Sequence, residues 1–125
     1  MVKEGLYYSE THEWVRIEGE FAYIGISDYA QHELGDIVYV ELPEVGSEAE
    51  QGEPFGSVEA VKAVEDINSP LSGEIVEVND LLEANPEFIN QEAYDKGWMI
   101  KIKYFEKAEL DKLMTDAQYK ELIEE

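Results

Sequence analysis

The chain has 125 residues, 44% of them hydrophobic and 11% aromatic, and 30 acidic residues against nine basic ones give a formal net charge of −21. This composition is typical of one globular domain with a sizeable core. The charge argues against nucleic acid and anionic membranes as partners, and the absence of cysteine excludes disulfides, thiolate catalysis and cysteine metal sites.

The start of the chain does not resemble a targeting segment. Residues 1–8 lack the apolar run of a signal peptide and the arginines of a transit peptide, and no transmembrane stretch follows. We therefore expect a cytoplasmic protein, or the mature form of a protein of an organellar matrix.

Short strands make up most of the predicted elements. In the first strand Trp14 and Arg16 point to one face, and Val15 and Ile17 point to the other. The turn at residues 18–20 joins it to the second strand as a hairpin. In chain order the predicted strands cover residues 13–17, 21–26, 36–41, 55–61, 64–67, 74–78 and 98–104.

Two helical segments interrupt these strands. The first covers residues 29–34, with an N-cap at Ser27 and a stop at Gly35. Residues 45–54 are rich in loop-forming residue types. A single helical turn is predicted over residues 81–85, because the proline that follows disfavours helical backbone in the residue before it.

The last strand and the tail complete the predicted domain, which spans residues 1–125. The last strand is predicted to expose Met99, Lys101 and Lys103 to solvent on one face. Its other face, toward the core, carries Trp98, Ile100, Ile102 and Tyr104. Residues 106–125 form a helical extension: one helix over 106–114, then a second that begins at the capping box of residues 115–118 and buries Leu122 and Ile123.

This order of elements predicts a mainly β fold, a sandwich or flattened barrel with short helices and a C-terminal helix against one edge. A helix in that position would protect the exposed backbone of an edge strand.

No catalytic or metal-binding motif stands out in the chain. There is no phosphate-binding glycine loop, and His12 and His32 are too far apart in sequence to form a local metal pair. The neighbouring carboxyl groups of Glu65 and Asp66 carry little information among thirty acidic residues. The sequence therefore predicts neither an enzyme nor a metal site.

A single lysine is the most informative residue that remains. Between Ile17 and Asp95 there is no arginine, and Lys62 is the only lysine. It lies between two predicted strands, at a hairpin tip that has no glycine, which suggests a turn held by the sheet beneath it. By position alone, a solvated lysine without a function is the more common case.

The segments around Lys62 match a known family. VEAVKAV (58–64) and SPLSGEIVEVN (69–79) closely resemble the lipoyl-attachment region of the H-protein family of the glycine cleavage system. The resemblance extends in order along nearly the whole chain. It includes HEWV (12–15), GISDYAQ (25–31), LGDIVYVELPEVG (34–46), NPEFIN (85–90) and GWMIK (97–101).

The resemblance implies a fold and a cofactor. The fold is two antiparallel sheets in a flattened lipoyl-domain-like barrel, and the cofactor is lipoate in amide linkage to Lys62. Glu59 matches the acidic position of an E-x-x-K pattern that the family's lipoylating enzymes read. Gly73 matches a glycine on the strand opposite the attachment hairpin, where a side chain would crowd the turn.

The resemblance also implies a carrier and not a catalyst. In the family the arm accepts an aminomethyl group from the glycine decarboxylase (P protein) and delivers it to the aminomethyltransferase (T protein). Dihydrolipoyl dehydrogenase (L protein) then reoxidises the arm. The arm itself is attached beforehand by a lipoate ligase or lipoyl transferase. We expect the loaded arm to rest in a cleft beside the hairpin, whose lining residues the sequence does not identify.

Several residues depart from the family pattern and leave alternatives open. Ala60 replaces a usual serine, Ala93 a usual proline and Lys96 a usual acidic residue. One alternative is an H-like protein that carries lipoate but serves lipoyl transfer or a sulfur-oxidising complex. A biotin carrier fits less well, because biotinylated lysines usually lie between two methionines. An unmodified acidic interaction module is the remaining alternative.

Overall fold

The computed structural model describes all residues, Met1–Glu125, as two antiparallel sheets that face each other without closing into a barrel. The strands are β1 (Tyr7–Tyr8), β2 (Glu13–Glu18), β3 (Phe21–Ile26), β4 (Ile37–Glu41), β5 (Glu48–Ala49), β6 (Pro54–Ala60), β7 (Val64–Asn68), β8 (Gly73–Val78), β9 (Ile100–Tyr104) and β10 (Met114–Thr115). The helices are α1 (Asp28–Leu34), α2 (Leu81–Ala84), α3 (Phe88–Gln91) and α4 (Asp116–Leu122), with a 3₁₀ helix at Lys107–Lys112.

The two sheets differ in size. The larger has seven strands in the order β10-β1-β2-β3-β9-β8-β5, and the smaller has three in the order β4-β6-β7. The predicted mainly β fold with two antiparallel sheets is confirmed. None of the helices has the length and apolar character needed to cross a bilayer.

The main core lies between the two sheets. The alternation predicted for the first strand is confirmed, because Val15 belongs to the main core whereas Trp14 belongs to a second apolar cluster on the other face of β2. That second cluster contains Val2, Leu6, Tyr8, Trp14, Tyr94 and Tyr119. The larger sheet is thus packed on both faces near its β10–β1 end.

The caps of α1 agree with the sequence prediction. The Ser27 side chain accepts a hydrogen bond from the Ala30 N–H, which satisfies one of the free donors of the first turn. Gly35 ends the helix with a φ of 81°, a left-handed value that favours glycine, and its N–H donates to the Gln31 carbonyl.

The predicted exposure of Met99 is wrong. Met99 and Ile100 are consecutive and both fully buried, because β9 begins only at Ile100 and the strict alternation does not extend back to Met99. The Met99 N–H donates to the Ile24 carbonyl, which holds the segment against β3. Trp98, predicted on the core face, instead packs against the second apolar cluster, edge-on to the ring of Tyr23 at 5.3 Å.

The C-terminal segment is less helical than predicted. After the 3₁₀ helix the chain extends as β10, which pairs with β1 and becomes the edge of the larger sheet. The capping box at Thr115 and Gln118 is confirmed as the start of α4. Leu122 was expected to be buried but is half exposed, and Tyr119 is the residue of α4 that is fully buried.

We predict that Gly73→Ala lowers the free energy of unfolding by about 2 kcal/mol, a typical cost of overpacking. An added Cβ would lie 2.5 Å from the Lys103 carbonyl oxygen and 2.9 Å from the Tyr104 Cα, both backbone atoms. Urea denaturation measures the change. Glu74→Ala, at an exposed position of the same strand, is the control and should change stability by under about 0.5 kcal/mol. Equal stability of the two variants would contradict the close approach of β8 and β9.

Candidate functional site

The β6–β7 hairpin places Lys62 at its apex. Three residues, Val61, Lys62 and Ala63, join the strands, and none of them has a positive φ. The Ala60 N–H donates to the Ala63 carbonyl at 2.7 Å, which closes the turn. The Val61 N–H donates to the Asp36 carbonyl at 3.3 Å, so the segment before β4 also holds it. This explains how the tip forms without glycine.

The Lys62 side chain is exposed, and it takes part in no hydrogen bond and in none of the ion pairs of the structure. The inward neighbours on the hairpin, Val58, Ala60 and Ile67, belong to the main core. A rigid support therefore presents a single free amine to solvent.

Glu59 lies on the same hairpin, with its side chain exposed. In the sheet it is directly opposite Val64 on β7 and Tyr39 on β4. The structure thus brings Glu59 and Lys62 together on one small, outward-facing surface, as the E-x-x-K spacing suggested.

Gly73 lies in the other sheet. It is opposite Tyr104 on β9 and Ala49 on β5, and the atoms nearest to an added Cβ belong to Lys103 and Tyr104. The crowding that a side chain would cause there comes from β9, which corrects the expectation that it would come from the hairpin turn. Whether Gly73 supports attachment stays a prediction.

A cleft of about 310 Å³ lies beside the hairpin, between β7, α1 and the turn before β2. Asp66 and Ile67 line it from β7, and Thr11 and Glu13 line it from the opposite side. A second cleft of about 340 Å³ also contains Thr11 and Glu13, and it extends to Asn68. Glu13 therefore lines both depressions, next to the strand that follows Lys62.

Glu13 is the least usual charged residue of the site. Its side chain is only 2% exposed, and burial raises the pKa of its carboxyl group above the ordinary glutamate value. The carboxylate accepts hydrogen bonds from Ser9 Oγ at 2.6 Å, from Thr11 Oγ1 and, at 3.3 Å, from the Asn68 N–H. No cationic side chain of this protein pairs with it, and an unpaired buried carboxylate is an unfavourable arrangement.

His12 shapes the turn that positions Glu13. Its φ of 75° is a left-handed value, uncommon for a residue other than glycine. Its Nδ1 lies 2.8 Å from the Tyr119 hydroxyl, and burial lowers the pKa of the imidazole. His32 lies in the last turn of α1, away from this network. No three histidine, aspartate or glutamate side chains converge as metal ligands.

The sequence analysis did not identify Glu13 and Thr11 as cleft residues. Glu13 is one of 30 acidic residues, and its burial results from contacts between the turn before β2 and β7. The only local signal is the pair of hydroxyl side chains, Ser9 and Thr11, placed shortly before an acid. That signal is too common to single out one glutamate.

Two opposed antiparallel sheets that present one lysine at a hairpin apex define the class of lipoyl-domain-like carrier proteins. The family model for the glycine cleavage H-protein matches residues 6–125 of this chain. A glycine cleavage system H protein of Geobacillus sp. (strain WCH70) is 55% identical over 120 residues, which cover 96% of this chain and 94% of that protein. One from Bacillus subtilis (strain 168) is 52% identical over 124 residues, with 99% and 98% covered.

The fold comparison gives the same family. The crystal structure of a glycine cleavage system H protein from Mycobacterium marinum superposes with a TM-score of 0.88 at 33% identity, covering 99% of this chain and all of that one. The chain therefore belongs to the glycine cleavage H-protein family, and it is a carrier protein of that system and not a catalyst. Members of this family are lipoate-binding carriers.

We predict that Glu13→Gln changes how stability depends on pH. Because the pKa of Glu13 is raised in the folded protein, its contribution to stability is fully present below the unfolded value of roughly 4.3 and is lost as pH rises through the folded pKa. Relative to the variant, the parent protein should therefore lose stability as the pH rises from the unfolded to the folded pKa of Glu13.

Urea denaturation at several pH values measures this difference. Glu20→Gln, in an exposed turn, is the control, and its stability should follow that of the parent protein. A constant difference between the parent and Glu13→Gln across the interval would show that the carboxyl pKa is not raised.

Proposed function

We propose that Lys62 carries lipoate in amide linkage, and that the arm takes the aminomethyl group of glycine from the glycine decarboxylase (P protein) to the aminomethyltransferase (T protein). Dihydrolipoyl dehydrogenase (L protein) would return the arm to its oxidised form. One observation carries this proposal: Lys62 is an exposed amine without an ion pair, at the apex of a hairpin whose inner side is fixed in the core.

The amine of Lys62 has to be activated before it can be acylated. The nitrogen of an ammonium group has no free electron pair, so Nζ must give up one proton before it can act as a nucleophile. Nζ then forms a C–N bond with the carbonyl carbon of an activated acyl donor. It loses a second proton as the leaving group of the donor departs with the electron pair of the broken bond. No base of this chain touches Nζ, so a separate enzyme, a lipoate ligase or lipoyl transferase, has to remove these protons.

Two further residues support the attachment site. Glu59 is exposed three residues before Lys62, where an enzyme that covers the apex would meet it. Gly73 allows β8 to lie close against β9 in the larger sheet, on which the hairpin sheet packs.

The cleft beside β7 fits the cargo. When attached, the dithiolane would supply the redox couple that this cysteine-free chain lacks, because its S–S bond would open as one sulfur takes up the aminomethyl group and the other becomes a thiol. A protonated amine at the end of the arm would find the Glu13 carboxylate, which has no cationic partner of its own, with Asp66 on the opposite wall. The chain's own residues would thus hold the cargo away from bulk water.

The location is part of the same proposal. The relatives named above are bacterial proteins, and this supports placing the chain in a bacterial cytoplasm.

We predict that Lys62 is the only lipoylated residue. Incubation with a lipoate ligase, lipoate and ATP should add one lipoyl group per chain, and peptide mapping should locate it at Lys62. Lys62→Arg should fold normally and accept nothing, because its guanidinium stays protonated. Modification at Lys101 or Lys103 with Lys62 free would refute the assignment.

We predict that the folded protein shelters the carried aminomethyl group. Its loss in buffer should be slower than from the same protein in denaturant, and Glu13→Gln should lose it about tenfold faster than the parent, as expected for a lost hydrogen bond between charged groups. Mass spectrometry over time measures the loss, and Glu20→Gln is the matched control. Equal rates for the parent and Glu13→Gln would mean that Glu13 does not contact the cargo.

A further inference from the structure

Exposed apolar side chains are concentrated around the attachment hairpin. The protein has nine large hydrophobic side chains that are exposed, and four of them, Val38, Tyr39, Val61 and Val64, lie on β4 or at the hairpin apex. The other five are distributed over separate segments, from Met1 to Leu122. Such a concentration next to a functional residue marks an interaction surface.

The strand register organises these side chains into rows. Tyr39, Glu59 and Val64 lie directly opposite one another across β4, β6 and β7, so their side chains share one face of the sheet. Tyr39 is 54% exposed and Val64 is 65% exposed. The neighbouring row, on the same face, consists of Glu41, Ser57 and Asp66. We call these two rows the docking face.

The charge of the docking face is of one sign. It contains three carboxylates, Glu41, Glu59 and Asp66, and none of them takes part in an ion pair of this protein. Apart from Lys62 the three strands and their connecting tip carry no lysine or arginine. A complementary partner therefore needs an apolar groove bordered by lysine and arginine side chains.

We propose that the docking face binds the enzyme that acylates Lys62, with Tyr39 in the apolar groove of that enzyme and Glu41, Glu59 and Asp66 against its basic border. The inference rests on the proposed function, because it takes Lys62 as the acceptor amine. An enzyme that reaches Nζ must cover the apex, and the docking face is the exposed surface that adjoins it. Recognition then spans three strands, and Tyr39 contributes from a strand outside the E-x-x-K motif.

Steady-state kinetics of lipoylation test the proposal. A purified lipoate ligase, lipoate and ATP are the probes, and the unmodified protein is the varied substrate. For Tyr39→Ser we expect KM to rise about tenfold with kcat unchanged, because a central aromatic anchor is lost while the acceptor amine is intact. Phe105→Ser is the matched control, since Phe105 is 57% exposed but lies outside the docking face, and its KM should stay within about twofold of the parent value.

A second pair of variants tests the charge border. Glu41→Gln should raise KM, and the increase of KM with salt should be smaller than for the parent. Glu74→Gln, exposed on the larger sheet, should behave like the parent. Circular dichroism verifies that all four variants are folded.

The outcomes separate this inference from the proposed function. If Tyr39→Ser and Phe105→Ser have the same KM while mass spectrometry locates the lipoyl group at Lys62, the docking face is wrong and the attachment site stands. If the ligase does not modify Lys62 even in the parent protein, the proposed function fails, and the inference fails with it.

Discussion

The packing of the three-stranded sheet on the seven-stranded sheet is the interaction on which the position of Lys62 depends. Val40, Val58 and Ile67 point inward from β4, β6 and β7 into the main core, and each is at most 3% exposed. Burial of such side chains contributes about 1.5–3 kcal/mol each, so the hairpin that carries Lys62 cannot tilt without losing core contacts. Lys62 is thus mounted on a support that is fixed in the core.

Much of this fold could be predicted from alternation and turn residues alone. The β2–β3 hairpin, α1 with its caps, β4 and the two strands around Lys62 are defined by local patterns. The two-residue strands β1, β5 and β10 could not be found in this way, because each exists only through pairing with a distant segment. The prediction that Met99 is exposed is wrong for a similar reason. Met99 is buried through a contact with β3 that lies before the regular strand begins.

The same difference between local patterns and contacts of distant segments applies to the functional site. The isolation of Lys62 at a predicted hairpin tip could be seen in the sequence, but its role, and the choice of Glu59 among the acidic residues, came from the resemblance to the H-protein family. Glu13 and the cleft could not be found from the sequence, because they depend on the approach of the turn before β2 to β7. Only tertiary contact makes one carboxylate among thirty both buried and without a cation.

The turn that presents Glu13 combines two unfavourable features, and the C-terminal segment stabilises it. His12 has left-handed backbone and Glu13 has a buried carboxylate, and local costs of this kind persist where the surrounding structure holds them in place. The Tyr119 hydroxyl lies 2.8 Å from His12 Nδ1 and 2.7 Å from Ser27 Oγ, and its ring stacks on Tyr8 at 4.3 Å. Helix α4 therefore connects the turn to the start of α1, and these two elements form walls of the cleft. The helix at the end of the chain, far in sequence from Lys62, thus fixes the shape of the cleft beside it.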